Sequence, residues 1–194
     1  MRKLILFCAL ITFISCVQYI NFYYYALEMF NTHQKYRALH GLNNTKYDDN
    51  IAAIALEQAV RMADNMRFYY SNSTYNGRNM GENFFFCNTF DGNSCLPLWD
   101  VTWYWYKEYY NYCFSTKSFP LTARNFITMV WKETTLMGCG IEYRRYWDCM
   151  DAYFIVCDYY PGPPPTFGPT AEEIAENLID RTAEDDEEKN PEPC

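Results

Sequence analysis

Histidine is nearly absent from this chain: only His33 and His40 occur in 194 residues. Seven residues apart on one helix, they sit roughly 10 Å from each other along its axis. Zinc holds its nitrogen ligands at about 2.0–2.1 Å, so one ion cannot readily take both. A Ser or Cys nucleophile has correspondingly little choice of an imidazole base. No two cysteines stand at the CxxC spacing of a zinc ribbon. No apolar run reaches the roughly 20 residues of a bilayer-spanning helix. A basic face is missing too. The formal net charge of -8 arises after Pro161, where ten acidic residues face only Arg181 and Lys189. The rest of the chain is neutral, which leaves no electrostatic footprint for nucleic acid.

What is present begins with Arg2 and Lys3 followed by an apolar run from Leu4 to Cys16. That pattern predicts a cleavable secretory leader over 1–18. Its removal takes Cys8 and Cys16 and leaves Cys87, Cys95, Cys113, Cys139, Cys149 and Cys157 in the body, with Cys194 at the end. In an oxidising compartment six such cysteines read as three disulfides, and Cys194 as a free thiol or an intermolecular link. Sequons at Asn43 and Asn72 suit an extracellular surface. With 19 Tyr, 14 Phe and 5 Trp, the remaining single domain can bury a sizeable core.

Helical spacing relates Tyr23, Ala26, Leu27, Phe30, His33 and Arg37, ending at Gly41. A second helix opens behind Asp48 and Asp49 and aligns Ile51, Ala55, Ala59 and Met62. A third runs from Pro97 to about Tyr110, and a short fourth from Asn125 to Glu133. Strands are expected at Asn83–Cys87, Gly138–Arg144 and Tyr153–Tyr160, the last rich in β-formers. Residues 171–182 have the pattern of a short helix. Prolines from Pro161 to Pro169 mark the end of the folded body, which places the boundary at 165 and an acidic, largely disordered tail over 166–194.

Five segments then fall in a telling order: His33-Gln34-Lys35-Tyr36-Arg37, Gly81-Glu82-Asn83, Trp105-Tyr106-Lys107-Glu108, Asn125 to Trp131, and Met137-Gly138-Cys139-Gly140 before Phe154 to Tyr159. Together they resemble the CAP superfamily, which includes cysteine-rich secretory proteins, insect antigen 5, plant pathogenesis-related proteins and helminth venom-allergen-like proteins. The resemblance covers about residues 22–165. It implies an α+β fold, an α-β-α sandwich with a central antiparallel sheet between helical layers, stapled by disulfides. It also implies a Cys139–Cys157 bridge. The family's usual partner for Cys149 is missing, so Cys149 is expected to take Cys87, Cys95 or Cys113.

Many members of that family carry a cleft of two His and two Glu that can bind a divalent metal. The glutamates match Glu82 and Glu108; where the imidazoles would stand, this chain has Tyr70 with Ser71, and Asn125. His33 matches the family's structural histidine. No metal, cofactor or catalytic residue follows from this cleft. A carboxylate pair can serve glycoside hydrolysis, but nothing else in the chain points to sugar chemistry. A family sterol site corresponds to the aromatic loop of Tyr112, Phe114 and Phe119, and a family fatty-acid groove to a seam between helices, with the first and third as expected walls. The resulting expectation is a secreted, extracellular, non-catalytic carrier of sterol or fatty acid. The alternative is an interaction module for an extracellular or host cell-surface protein partner.

Overall fold

The computed structural model describes residues 22–90, 100–146 and 150–181. The expected leader (1–18), Cys95, Cys149, Cys194 and the end of the acidic tail lie outside them. Helix α1 covers 22–39 and buries Ala26, Met29, His33 and Arg37, a three-to-four-residue recurrence that marks one face. Gly41, at φ +64, ends it in the left-handed region that glycine adopts without steric cost. After β1 (Lys46–Tyr47) comes α2 (Asp49–Asn65). Its cap is Asp48, whose Oδ1 accepts from the N–H groups of Asn50 and Ile51 at 2.9 and 3.0 Å. Two of the donors that a helix start leaves without partners are thereby satisfied.

Strands β2 (Thr74–Tyr75) and β3 (Arg78–Asn79) form a small separate hairpin. The main sheet contains β4 (Gly81–Thr89), β5 (Leu136–Arg145) and β6 (Asp151–Tyr160) in the order β1-β5-β6-β4. Its three long strands are antiparallel, as expected. Short β1 pairs with β5 in parallel, so the sheet is mixed rather than purely antiparallel. α3 (Asp100–Tyr106) tightens into a 3-10 turn over Lys107–Asn111, and α4 (Arg124–Met129) and α5 (Ala171–Asn177) follow.

Alternation along β6 divides the core. Ala152, Phe154 and Val156 join Ala55, Ala59 and Met62 of α2 in one apolar layer. Ile155, Cys157 and Tyr159 join the buried residues of α1, α3 and α4 in the other. Helix α2 lies directly on β5. A Cβ at Gly138 would fall 2.3 Å from the Ala52 nitrogen, and one at Gly140 would fall 2.1 Å from the Leu56 nitrogen. The glycines of the Met137–Gly140 motif are therefore a packing requirement. Between them Cys139 faces Cys157 across the β5–β6 ladder and is bonded to it. Cys87 and Cys113 are also disulfide-bonded.

Arg37 is almost wholly buried and donates to the carbonyls of Met129 and Trp131 at 3.0 and 2.9 Å. Cations are favoured where a helix leaves its carbonyls without partners, and this one ties α1 to the end of α4. The packed body also runs past 165, where the sequence placed its boundary. Ile174 of α5 is buried in the core, and Asn177 accepts from Lys132 N–H at 3.1 Å and Glu133 N–H at 3.0 Å. Ile174, Leu178 and Asn177 dock the segment, too little periodic signal to separate it from a solvated tail.

Candidate functional site

The expected cleft residues each have contacts of their own, Glu82 with Ser71, Glu108 with Asn125 and Tyr70 with Phe84. Glu82 is buried and its carboxylate accepts from Ser71 N–H at 3.1 Å and from the Ser71 hydroxyl. Burial raises its pKa; the Ser71 donors and Arg61 oppose that rise. Glu108 Oε2 accepts from Asn125 N–H at 2.8 Å and Phe126 N–H at 3.3 Å, and Oε1 from the Asn125 amide at 2.6 Å. Its pKa is also raised by burial against these donors. In this arrangement Glu108 caps the start of α4, the side chain that completes the cap coming from the position where a family histidine would stand. Tyr70, at the other such position, packs on Phe84 with ring centroids 5.0 Å apart.

Sequence reasoning missed two members of this site, Arg124 and Asp158, and the role of a third: Ser71, read only as standing with Tyr70 in place of a histidine, supplies the donors to Glu82. The Arg124 guanidinium lies 4.9 Å from the Tyr70 ring centre and 5.6 Å from that of Phe119, so the cleft holds a cation of its own. Asp158 sits opposite Glu82 in the β4–β6 register, fully buried, with no hydrogen-bond partner for either carboxylate oxygen among the described residues. Burial first, and then the Glu82 charge, raise its pKa well above the carboxylate range. The signal for Asp158 was a lone acid inside an apolar strand. Among the described residues no group of three or more His, Cys, Asp or Glu could hold a metal ion.

Both histidines belong to the core. His33 Nδ1 lies 2.6 Å from the Met29 carbonyl and Nε2 2.7 Å from the Tyr159 hydroxyl. His40 joins the Ile179 carbonyl at 2.7 Å to the Tyr106 hydroxyl at 3.1 Å. A carbonyl only accepts, so each Nδ1 carries the proton and each tyrosine donates to Nε2. Desolvation lowers both pKa values to about 4, which keeps the rings neutral.

The aromatic loop turns inward. Tyr112 is buried, and Phe114 and Phe119 are half-buried against the same core. Phe114 meets the Tyr112 ring edge-on at 4.8 Å, while Phe119 closely approaches the backbone at Gly168. Both expected glycosylation positions, Asn43 and Asn72, are exposed.

Among the described residues an apolar groove opens beside the first and second helices, not along the seam of the first and third where it was expected. Tyr36 stacks on Tyr106 at 4.0 Å, closing the α1–α3 seam. The open cavity, about 530 Å³, lies instead between the start of α1 (Phe22, Tyr23, Ala26) and α2 (Ala52, Ala53, Leu56), with β5 from Cys139 to Tyr143 as its floor and Tyr47 beside it. Helices on opposite faces of the sheet overhang its edge strand, and periodicity in either helix alone carries no trace of that.

The sandwich, its bridged strands and the ordered motifs define a class: residues 30–159 match the CAP model, the cysteine-rich secretory protein family, and the chain belongs to that family. Among its relatives, human Golgi-associated plant pathogenesis-related protein 1 is 28% identical over 135 residues, covering 69% of this chain and 80% of that protein. Pathogenesis-related protein 1A1 of Solanum lycopersicum is 26% identical over 132 residues, 68% of each chain. The solved structure of Schistosoma mansoni venom allergen-like protein 4 shares the fold, with a TM-score of 0.52 at 22% identity, over 77% of this chain and 97% of that one.

Proposed function

We propose that this protein is a non-catalytic carrier that acts outside the cell and lodges the acyl chain of a lipid in the groove between α1, α2 and β5. The groove carries this reading. Its volume falls within the roughly 300–1,000 Å³ of small-molecule sites, and its walls are largely aliphatic and aromatic. Each buried methylene contributes about 0.8 kcal/mol, so ten give about 8 kcal/mol before the cost of association. The cleft offers no comparable chemistry. Glu82 and Glu108 are held by hydrogen-bond donors, and neither histidine has a free nitrogen to act as a base. Titration of the purified protein with a radiolabelled sixteen-carbon acyl lipid tests the reading. Saturable binding is expected, and Ala53→Trp, placed on an exposed position of the groove wall, should abolish it. Equal binding by both proteins would rule the groove out.

A second reading places sterol at Tyr112, Phe114 and Phe119. The large apolar faces of these rings favour it, although the loop would have to turn them outward. Cholesterol binding lost in a Phe114/Phe119 double-alanine variant, with acyl binding retained, would establish two separate sites. Cholesterol binding unchanged by that variant would remove the loop from consideration.

A further inference from the structure

The floor of the groove differs from its walls. β1 pairs with β5 only at Leu136 and Met137, and among the described residues no strand continues that lane. From the β1 side, Asp48 N–H donates to the Met137 carbonyl at 2.9 Å. Backbone groups along a strand point to alternate sides. Those of Cys139, Ile141 and Tyr143 therefore face the groove, while Gly140 and Glu142 serve β6. No backbone partner meets this edge among the described residues. A bare hydrocarbon laid over it would strip water from amide groups and return nothing.

The charge of the lining is equally selective. Asp49 and Glu142 border the groove, and among the described residues no Lys, Arg or His lines it. Glu142 is paired with Arg144, whose guanidinium also reaches Asp64 at 3.0 Å. The carboxylate of a free fatty acid would find no charge-assisted donor here.

We infer that the preferred ligand is an acyl chain joined through an amide, an N-acyl lipid, with the amide hydrogen-bonded to the free edge of β5. This rests on the acyl-chain reading above. An amide is the strand's own hydrogen-bonding group: its N–H and C=O pair with an edge carbonyl and an edge N–H, as a neighbouring strand would. The chain beyond it runs along Ala26, Ala52, Ala53 and Leu56. Head groups that are neutral or cationic suit the acidic border.

The test compares three sixteen-carbon ligands by calorimetric titration of the purified protein: palmitoylethanolamide, its ester isostere 2-hydroxyethyl palmitate, and palmitate. The amide should bind about tenfold more tightly than the ester, the worth of one or two net hydrogen bonds. Palmitate should bind no better than the ester. Ester or palmitate binding equal to the amide overturns this inference and leaves the acyl-chain reading standing. No saturable binding of any of the three, by protein with a native circular dichroism spectrum, overturns both.

Discussion

Asp158→Asn should stabilise this protein, and increasingly so as pH rises. The side chain is fully buried opposite Glu82, and neither of its oxygens has a hydrogen-bond partner among the described residues. The charged groups that bear on it are Glu82 on β4, which disfavours its ionisation, and Arg61 on α2, which favours it less than burial opposes it. Its folded pKa lies well above the unfolded value of about 3.9. An acid so shifted contributes stability that is full below the unfolded pKa and is lost as pH rises through the folded one. Glu82, raised in the same direction, adds to that alkaline loss. His33 and His40 act in the opposite sense: lowered from 6.5 to about 4, each costs up to about 3 kcal/mol as pH falls between those values. As pH rises from about 4 to 6.5 the histidine gain and the carboxyl loss therefore oppose each other, and above that range only the carboxyl loss remains. Asparagine keeps the shape of the neutral acid and cannot ionise. Near pH 4 the variant should match wild type within about 0.5 kcal/mol. At pH 8 it should gain about 1–3 kcal/mol, the scale of a buried polar group without partners, or roughly 2–12 °C in Tm. Thermal melts by circular dichroism from pH 4 to 9 measure both. A difference between the two proteins that is the same at pH 4 and pH 8 would refute the argument.

Other substitutions probe the frame around the site. Gly140→Ala must displace α2, because the new methyl meets the Leu56 backbone; a loss of more than about 4 kcal/mol is expected, and an unchanged Tm would contradict the close packing. Glu108→Ala leaves the N–H groups of Asn125 and Phe126 without their acceptor and should cost about 2–3 kcal/mol in urea denaturation, with Glu108→Gln costing less. Replacing Cys139 and Cys157 together by alanine opens a bridge of sequence separation 18 and should cost about 3 kcal/mol; a denaturation midpoint unmoved by it would show that the strands hold register without the bond.

Much of the frame was legible because it is local. The α2 stripe of Ile51, Ala55, Ala59 and Met62, its Asp48 cap and the alternation along β6 each express which face of one element is buried, and periodicity reports that directly. The ordered motifs added the class and the Cys139–Cys157 bridge. Tyr70 and Asn125 were readable as departures from the family cleft, but not as what they became. Asn125 completes the hold on Glu108 only because α4 begins against the turn after α3. Asp158 was visible as an acid in an apolar strand, yet its isolation depends on β4 placing Glu82 opposite it and on α2 sealing that face. The groove is the clearest case. Its walls come from two helices on opposite faces of the sheet, and its floor is an edge that exists because β1 stops after two residues. A lane that no described strand fills leaves no mark in the residues that border it, so only the assembled tertiary structure decides where such a groove opens.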